Sequence, residues 1–234
     1  MTVSSGGETD HRRSIRSFVI RAGRLTRAQQ RALDELWPRF GVEFDARPLD
    51  LDVLFDRSAP RVLEIGFGDG YSLAKMAADE PDKDFLGIEV HPPGVGSLLI
   101  QIEEHGLPNL RVMKHDAVDV LEKSLPAAGF DRVQIYFADP WPKKKHQKRR
   151  IIQSVFVERL VHAMKPGALL HLATDWQDYA EHMRDVVNAA VGLKNLSPSG
   201  DFVARPAWRP QTKFETRGQR LGHGVWDLLF ERVD

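Results

Sequence analysis

Cysteine is absent from the chain, so disulfides and thiolate metal sites are excluded at once. That absence is compatible with a reducing compartment such as the cytosol. Long hydrophobic runs are missing as well: no stretch approaches the roughly 18 apolar residues of a membrane span. The N-terminus opens on Ser4, Ser5, Gly6 and Gly7 and has no apolar core of a secretory signal. Net charge is also missing, because 33 basic and 33 acidic residues cancel. That balance favours no class of partner. There is no internal repeat and no long low-complexity segment.

What remains is a chain of 234 residues, 42% of them apolar. It is long enough for one α/β domain with an appendage, at about 100–200 residues per domain. The charges that cancel overall are unevenly placed. Seven arginines fall between Arg12 and Arg31, and six Lys or Arg between Lys143 and Arg150. A local basic patch in a neutral protein can still hold phosphate, because the field that matters is local and screened by salt.

Along the chain, 1–10 reads as a polar, disordered leader. Leu25–Phe40 reads as a helix capped by Thr26, and Pro48–Pro60 as a connector. Strands are expected at Arg61–Ile65, Asp84–Glu89, Leu110–Lys114, Asp131–Phe137, Ala168–Ala173 and Val225–Arg232. Helices are expected between them at Tyr71–Ala78, Gly96–His105, Ala117–Leu125, Ile151–Met164 and Tyr179–Ala190. This alternation predicts an α/β fold, a mainly parallel sheet with helices on both faces. Ligands of such sheets bind beyond the carboxyl ends of the strands, where strand order reverses.

Polar, glycine and acidic residues do gather at those ends. Glu64 precedes Gly66, Gly68 and Gly70, three glycines at every second position. They permit a tight turn and close approach of a ligand to the backbone. A dinucleotide fingerprint would need a glycine where Tyr71 stands, which weighs against NAD. The Glu64 carboxylate suits a cationic cofactor, although a purely structural turn remains open. Glu89, at the next strand end, can accept two hydrogen bonds from a ribose diol. Asp116 can accept from an adenine amino group or cap the helix beginning at Ala117, or do both. Together these describe a class I, Rossmann-like site for S-adenosylmethionine.

The fourth strand runs into Asp139-Pro140-Trp141-Pro142, which resembles the Asp/Asn-Pro-Pro-aromatic motif of nucleic-acid amino-methyltransferases with Trp and Pro exchanged. Trp141 can stack on a base or simply pack. The run Lys143-Lys144-Lys145-His146-Gln147-Lys148-Arg149-Arg150 follows, either a solvated face or a salt-sensitive grip on RNA phosphates. Thr174-Asp175-Trp176 closes the fifth strand, and Thr212-Lys213-Phe214-Glu215 lies in a late loop, where Thr212 and Glu215 could also form a helix cap.

These motifs, with the Arg217–Asp227 tail and Gly23-Arg24-Leu25-Thr26, are similar to those of the bacterial TrmB family of tRNA (guanine-N7)-methyltransferases, from about Arg16 to the end. The resemblance implies a leader over 1–15, an N-terminal extension over 16–60 packing on the core, and a methyltransferase domain over 61–234. It implies cofactor contacts at Glu64, Gly66, Gly68, Gly70, Glu89, Asp116 and Asp139, with Asp139 catalytic. It also implies guanine contacts at Lys143, Asp175, Thr212, Lys213, Phe214 and Glu215, and RNA contacts at Lys145, His146, Gln147, Lys148, Arg149 and Arg150. A cytoplasmic enzyme, monomer or homodimer, would then act on tRNA with no obligatory protein partner and no membrane. A small-molecule methyltransferase and a non-catalytic RNA-binding module are the rival readings.

Overall fold

The computed structural model describes residues 16–19, 23–212, 215 and 224–234. The leader, Arg12, Arg13, Arg21, Lys213, Phe214 and the Arg217–Arg220 stretch lie outside the described residues. Eight strands form one sheet: β1 (Gly41–Val42), β2 (Arg61–Ile65), β3 (Asp84–Glu89), β4 (Leu110–Lys114), β5 (Phe130–Tyr136), β6 (Met164–Thr174), β7 (Leu193–Asn195) and β8 (Trp226–Arg232). Their spatial order is β1-β4-β3-β2-β5-β6-β8-β7. Every pairing from β1 across to β6 is parallel, and β8 runs antiparallel to both β6 and β7. From β2 the chain winds outward through β3 and β4, then returns to lay β5 on the other side. The β2–β5 border is therefore the switch point at which such sheets bind ligands.

Side chains alternate across the sheet with the period of two that a strand imposes. Leu63, Leu86, Val133 and Leu170 belong to one apolar cluster, which α6 (Ala117–Lys123), α7 (Ser154–Ala163) and α8 (Gln177–Asn188) cover. Val62, Phe85 and Val112 belong to the cluster on the other face, beneath α4 (Tyr71–Asp79) and α5 (Pro92–His105). Leu63, Leu86 and Phe85 are fully buried, each burial stabilising the fold by about 1.5–3 kcal/mol. The expected two-faced, mainly parallel architecture is present.

The N-terminal segment departs from expectation in detail. One helix was expected over Leu25–Phe40, but α1 (Arg27–Glu35) ends and a short α2 (Trp37–Phe40) begins afresh at Leu36. Pro38 has no N–H to continue the ladder, so it can occupy only a first turn. Thr26 caps α1 as expected, in a reciprocal box with Gln29. The α1 backbone lies so close to α5 that a Cβ on Gly96 would come 2.9 Å from the Gln29 carbonyl oxygen. The expected connector contains α3 (Leu51–Phe55), whose first N–H groups are capped by Asp50. No helix among the described residues is long and apolar enough to cross a membrane.

Candidate functional site

Two cavities open side by side at the carboxyl ends of the parallel strands. The first, about 250 Å³, is lined by Gly66, Gly68, Glu89, Asp116, Phe137 and Asp139, with Ser17 and Phe18 from the N-terminal segment. The second, about 580 Å³, is lined by Glu64, Tyr136, Asp175, Arg209, Thr212 and Glu215. They adjoin, since Gly66, Gly68 and Phe137 line both.

The glycine loop forms the border between them. Gly66, Gly68 and Gly70 all have positive φ, from 62° to 80°. Around Gly66 and Gly68 an added Cβ would meet no protein atom within 4 Å, so a side chain there would project into ligand space. Gly70 is needed for packing too: a Cβ would stand 2.6 Å from that of Leu98 on α5. The loop is held from β3 by Glu89, whose Oε2 accepts from the Gly68 N–H at 3.0 Å. The other Glu89 oxygen accepts from Val90 and His91 N–H at 2.6 and 3.0 Å. Glu89 thus braces the loop and faces the cavity at once. Asp116 does both things its position allowed, capping α6 through the Val118 N–H at 3.0 Å while lining the first cavity.

Asp139 is exposed on the rim of the first cavity. The backbone around it is strained: Phe137 and Trp141 have φ of 53° and 44°, left-handed values that cost bulky residues on the order of 1–3 kcal/mol each. Trp141 packs, donating its indole N–H to the Ser17 carbonyl at 3.0 Å and so pinning the N-terminal segment beside the first cavity.

Four carboxylates were expected around one cavity, and three are there. Glu64 instead lies on the floor of the second, because alternation along β2 turns it to the other side of Ile65. It is buried and accepts from the Gln134 side chain at 2.6 Å. Burial pushes its carboxyl up to about 7, the Gln134 bond and Arg132 opposing.

The second cavity is otherwise built from distant parts of the chain. Asp175 reaches it exposed from the end of β6. Glu215 is buried, and Arg209 grips both its oxygens at 2.7 Å. The cap alternative for Thr212 is realised as well, since Thr212 Oγ1 accepts from the Glu215 N–H and Glu215 Oε2 accepts from the Thr212 N–H. Sequence reading missed Gln134, Tyr136, His171 and Arg209, and took Asp227 only as the end of the Arg217–Asp227 tail with no site role. Each stands outside the glycine and strand-end motifs.

The basic run forms a 3₁₀ turn over Lys144–Arg149. Lys143, Lys144, Lys145 and Lys148 are exposed, while Arg149 lies over the Trp141 ring at 5.0 Å. Burial lowers the His146 pKa, and the cationic neighbours Lys145, Arg149, Lys143 and Lys148 push it in the same direction. Gln147 reaches Asp178 at 3.4 Å. Arg150 departs from the expectation of an RNA contact. Its guanidinium is buried, donates to the Pro140 carbonyl at 2.9 Å, pairs with Asp178 and lies over the Tyr179 ring. It fastens the Asp139-Pro140 turn to α8 and is not free for phosphate.

An eight-stranded sheet with this order, a glycine loop after its first long strand and acids on the next strand ends define a class I S-adenosylmethionine-dependent methyltransferase. Solved structures share the fold: a 16S rRNA methyltransferase, KamB, at 17% identity and TM-score 0.58 over 80% of this chain and 95% of that one. An S-adenosylmethionine-dependent O-methyltransferase from Thermotoga maritima aligns at 12% identity and TM-score 0.51, covering 79% of this chain and 63% of that one. Sequence takes the assignment further. Residues 58–228 match the family described as "Putative methyltransferase". A tRNA (guanine-N(7)-)-methyltransferase of Alcanivorax borkumensis is 59% identical, covering 94% of this chain and 92% of the relative. Those of Yersinia pseudotuberculosis and Xanthomonas campestris are 60% and 57% identical, covering 93% and 85% of the relatives and 95% and 94% of this chain. The chain belongs to this family of bacterial tRNA (guanine-N(7)-)-methyltransferases.

Proposed function

We propose that the protein methylates N7 of a guanine in the tRNA variable loop, giving 7-methylguanosine, and that it does so in the cytoplasm. The observation that carries this reading is the adjoining of two cavities along Gly66, Gly68 and Phe137, with the exposed lysines of 143–148 following Asp139 in the chain. The first cavity fits S-adenosylmethionine: Gly66 and Gly68 leave ligand space bare, Glu89 and Asp116 offer acceptors for ribose and adenine, and Asp139 stands at the border. Bound there, the cofactor supplies an electrophilic methyl group on a cationic sulfur.

Guanine N7 carries an in-plane lone pair and loses no proton before attack. A strong general base is unnecessary, and the protein's task is alignment. In the second cavity Asp175 and Glu215 are acceptors matched to the N1–H and 2-amino group of guanine, which an adenine would not offer. Asp139 supplies negative charge at the first cavity, where positive charge passes from the donor to the base. Lys143, Lys145 and Lys148 would hold RNA phosphates at the mouth.

The test is incubation with unmodified tRNA and methyl-labelled S-adenosylmethionine, followed by mapping of the label. Label as 7-methylguanosine in the variable loop is the expected result. Label on another nucleoside would overturn the substrate and leave the fold untouched.

A further inference from the structure

Behind the second cavity runs a buried polar chain that joins β5, β6, β8 and the loop before Glu215. Trp208 Nε1, which can only donate, reaches His171 Nδ1 at 3.2 Å. Nδ1 is therefore the acceptor, and His171 Nε2 carries the hydrogen that goes to Asp227 Oδ1 at 2.7 Å. Burial holds this imidazole below its ordinary pKa and so neutral. Asp227 takes Arg209 side-on, from Nε at 2.7 Å and from Nη2 at 2.9 Å. The end of the same guanidinium holds Glu215 through Nη1 and Nη2, both at 2.7 Å. Tyr136 and Phe137 lie against its face at 5.8 and 5.6 Å. Arg209 and Glu215 expose 1% and 4% of their surface, yet both line the second cavity.

One guanidinium fixed in its plane by two bidentate carboxylates and supported by two rings cannot turn, and neither can the carboxylate it holds. A cluster of this kind is a poor choice if stability is its only purpose, because well-packed apolar residues of similar volume often serve as well or better. Its location on a cavity wall gives it another use. An ionised carboxylate has about four acceptor sites. Among the described residues Glu215 spends three, two on Arg209 and one on the Thr212 N–H, and the fourth remains on Oε1.

We propose that Arg209, oriented by Asp227 and His171, is the positioning residue for Glu215. It keeps that carboxylate fixed so that its remaining acceptor selects the donor edge of guanine. The proposal rests on reading the second cavity as the guanine pocket. Arg209 touches no reacting atom and acts through Glu215 alone.

A double-mutant cycle on the full chain tests this, using Arg209→Lys, Glu215→Gln and their combination, with KM for tRNA, affinity for S-adenosylmethionine and thermal midpoint measured for each. Each single variant is expected to raise KM for tRNA about tenfold with cofactor affinity unchanged, and the double variant to be no worse than the worse single one within about twofold. Multiplying effects, or a parallel loss of cofactor affinity in Arg209→Lys, would overturn the positioning role. Glu215→Gln with a wild-type KM would instead overturn the reading of Glu215 as a guanine contact, and the proposal with it. If Arg209→Lys does not fold, Asp227→Asn takes its place in the cycle. A second readout separates selection from mere support: tRNA with inosine at the methylated position lacks the 2-amino group. The wild-type preference for guanine over inosine should shrink towards unity in Arg209→Lys; an unaltered ratio would contradict the proposal.

Discussion

The two cavities meet at three residues and are made in opposite ways. The first is assembled from successive strand ends: Gly66 and Gly68 after β2, Glu89 on β3, Asp116 after β4 and Asp139 after β5. Each contribution is a local turn, and the parallel sheet brings the turns to one edge. The second draws Glu64, Tyr136, Asp175, Arg209 and Glu215 from across the chain, and its wall closes only when β8 pairs antiparallel with β6. A site for a common cofactor can be built from local turns that tolerate change elsewhere. A site for one particular base here depends on a long-range buried network. Damage to the first should appear in cofactor binding or chemistry, and damage to the second in substrate choice.

The largest expected effect tests the border itself. Asp139→Ala should lower kcat by about 100- to 1000-fold, the range for loss of one preorganised electrostatic group, while tRNA affinity stays within about twofold. Single-turnover methylation and filter binding would measure the two quantities. A full-rate variant would remove Asp139 from the mechanism.

Next come two substitutions in the basic run that should part company. Arg150→Ala leaves the Pro140 carbonyl without its donor and removes the packing over Tyr179, and should cost about 1–3 kcal/mol of stability in a urea melt. Lys148→Ala should leave the melt unchanged, weaken tRNA binding and reduce the log–log salt slope by about one. Matching behaviour of the two would erase the distinction drawn between them.

Glu64 sharpens the contrast through pH. Burial raises its carboxyl from 4.5 to about 7, so the folded protein holds this proton after the unfolded chain has released it. The associated stability is complete below pH 4.5 and is lost as pH rises through about 7, amounting to about 3 kcal/mol. Cofactor-free Glu64→Gln should therefore melt higher than wild type at pH 8 and no higher at pH 4. Equal midpoints at pH 8 would contradict the buried, strained carboxylate. The smallest effect lies far from either cavity: Thr26→Ala should cost about 1 kcal/mol of stability through loss of the α1 cap, with activity unchanged.

How much of this was legible follows the same division. The glycine loop, Glu89, Asp116 and Asp139 could be read because each sits where an apolar run stops, a signal spanning a few residues. Asp175 was readable for the same reason. Arg150 could not be separated from its neighbours, since a run of like charges does not reveal which member turns inward until α8 supplies Asp178 and Tyr179. Glu64 was placed on the right strand end, and it lines the adjoining second cavity because one step along a strand changes the face. His171 and Asp227 are separated by 56 residues and Glu64 and Gln134 by 70, and neither pair carries a periodicity that would link them. The short edges β1 and β7 were missed because two or three residues are too few to alternate visibly.

The central claim is that two adjoining cavities make one methyl-transfer site. A crystal structure with S-adenosylhomocysteine and a guanosine-containing oligonucleotide from the tRNA variable loop would test it most directly. The account predicts adenosine between Glu89 and Asp116, the guanine against Asp175 and Glu215, and the sulfur facing N7 across the Gly66–Phe137 border. A guanine seated outside the second cavity, or a cofactor lying away from the glycine loop, would contradict it.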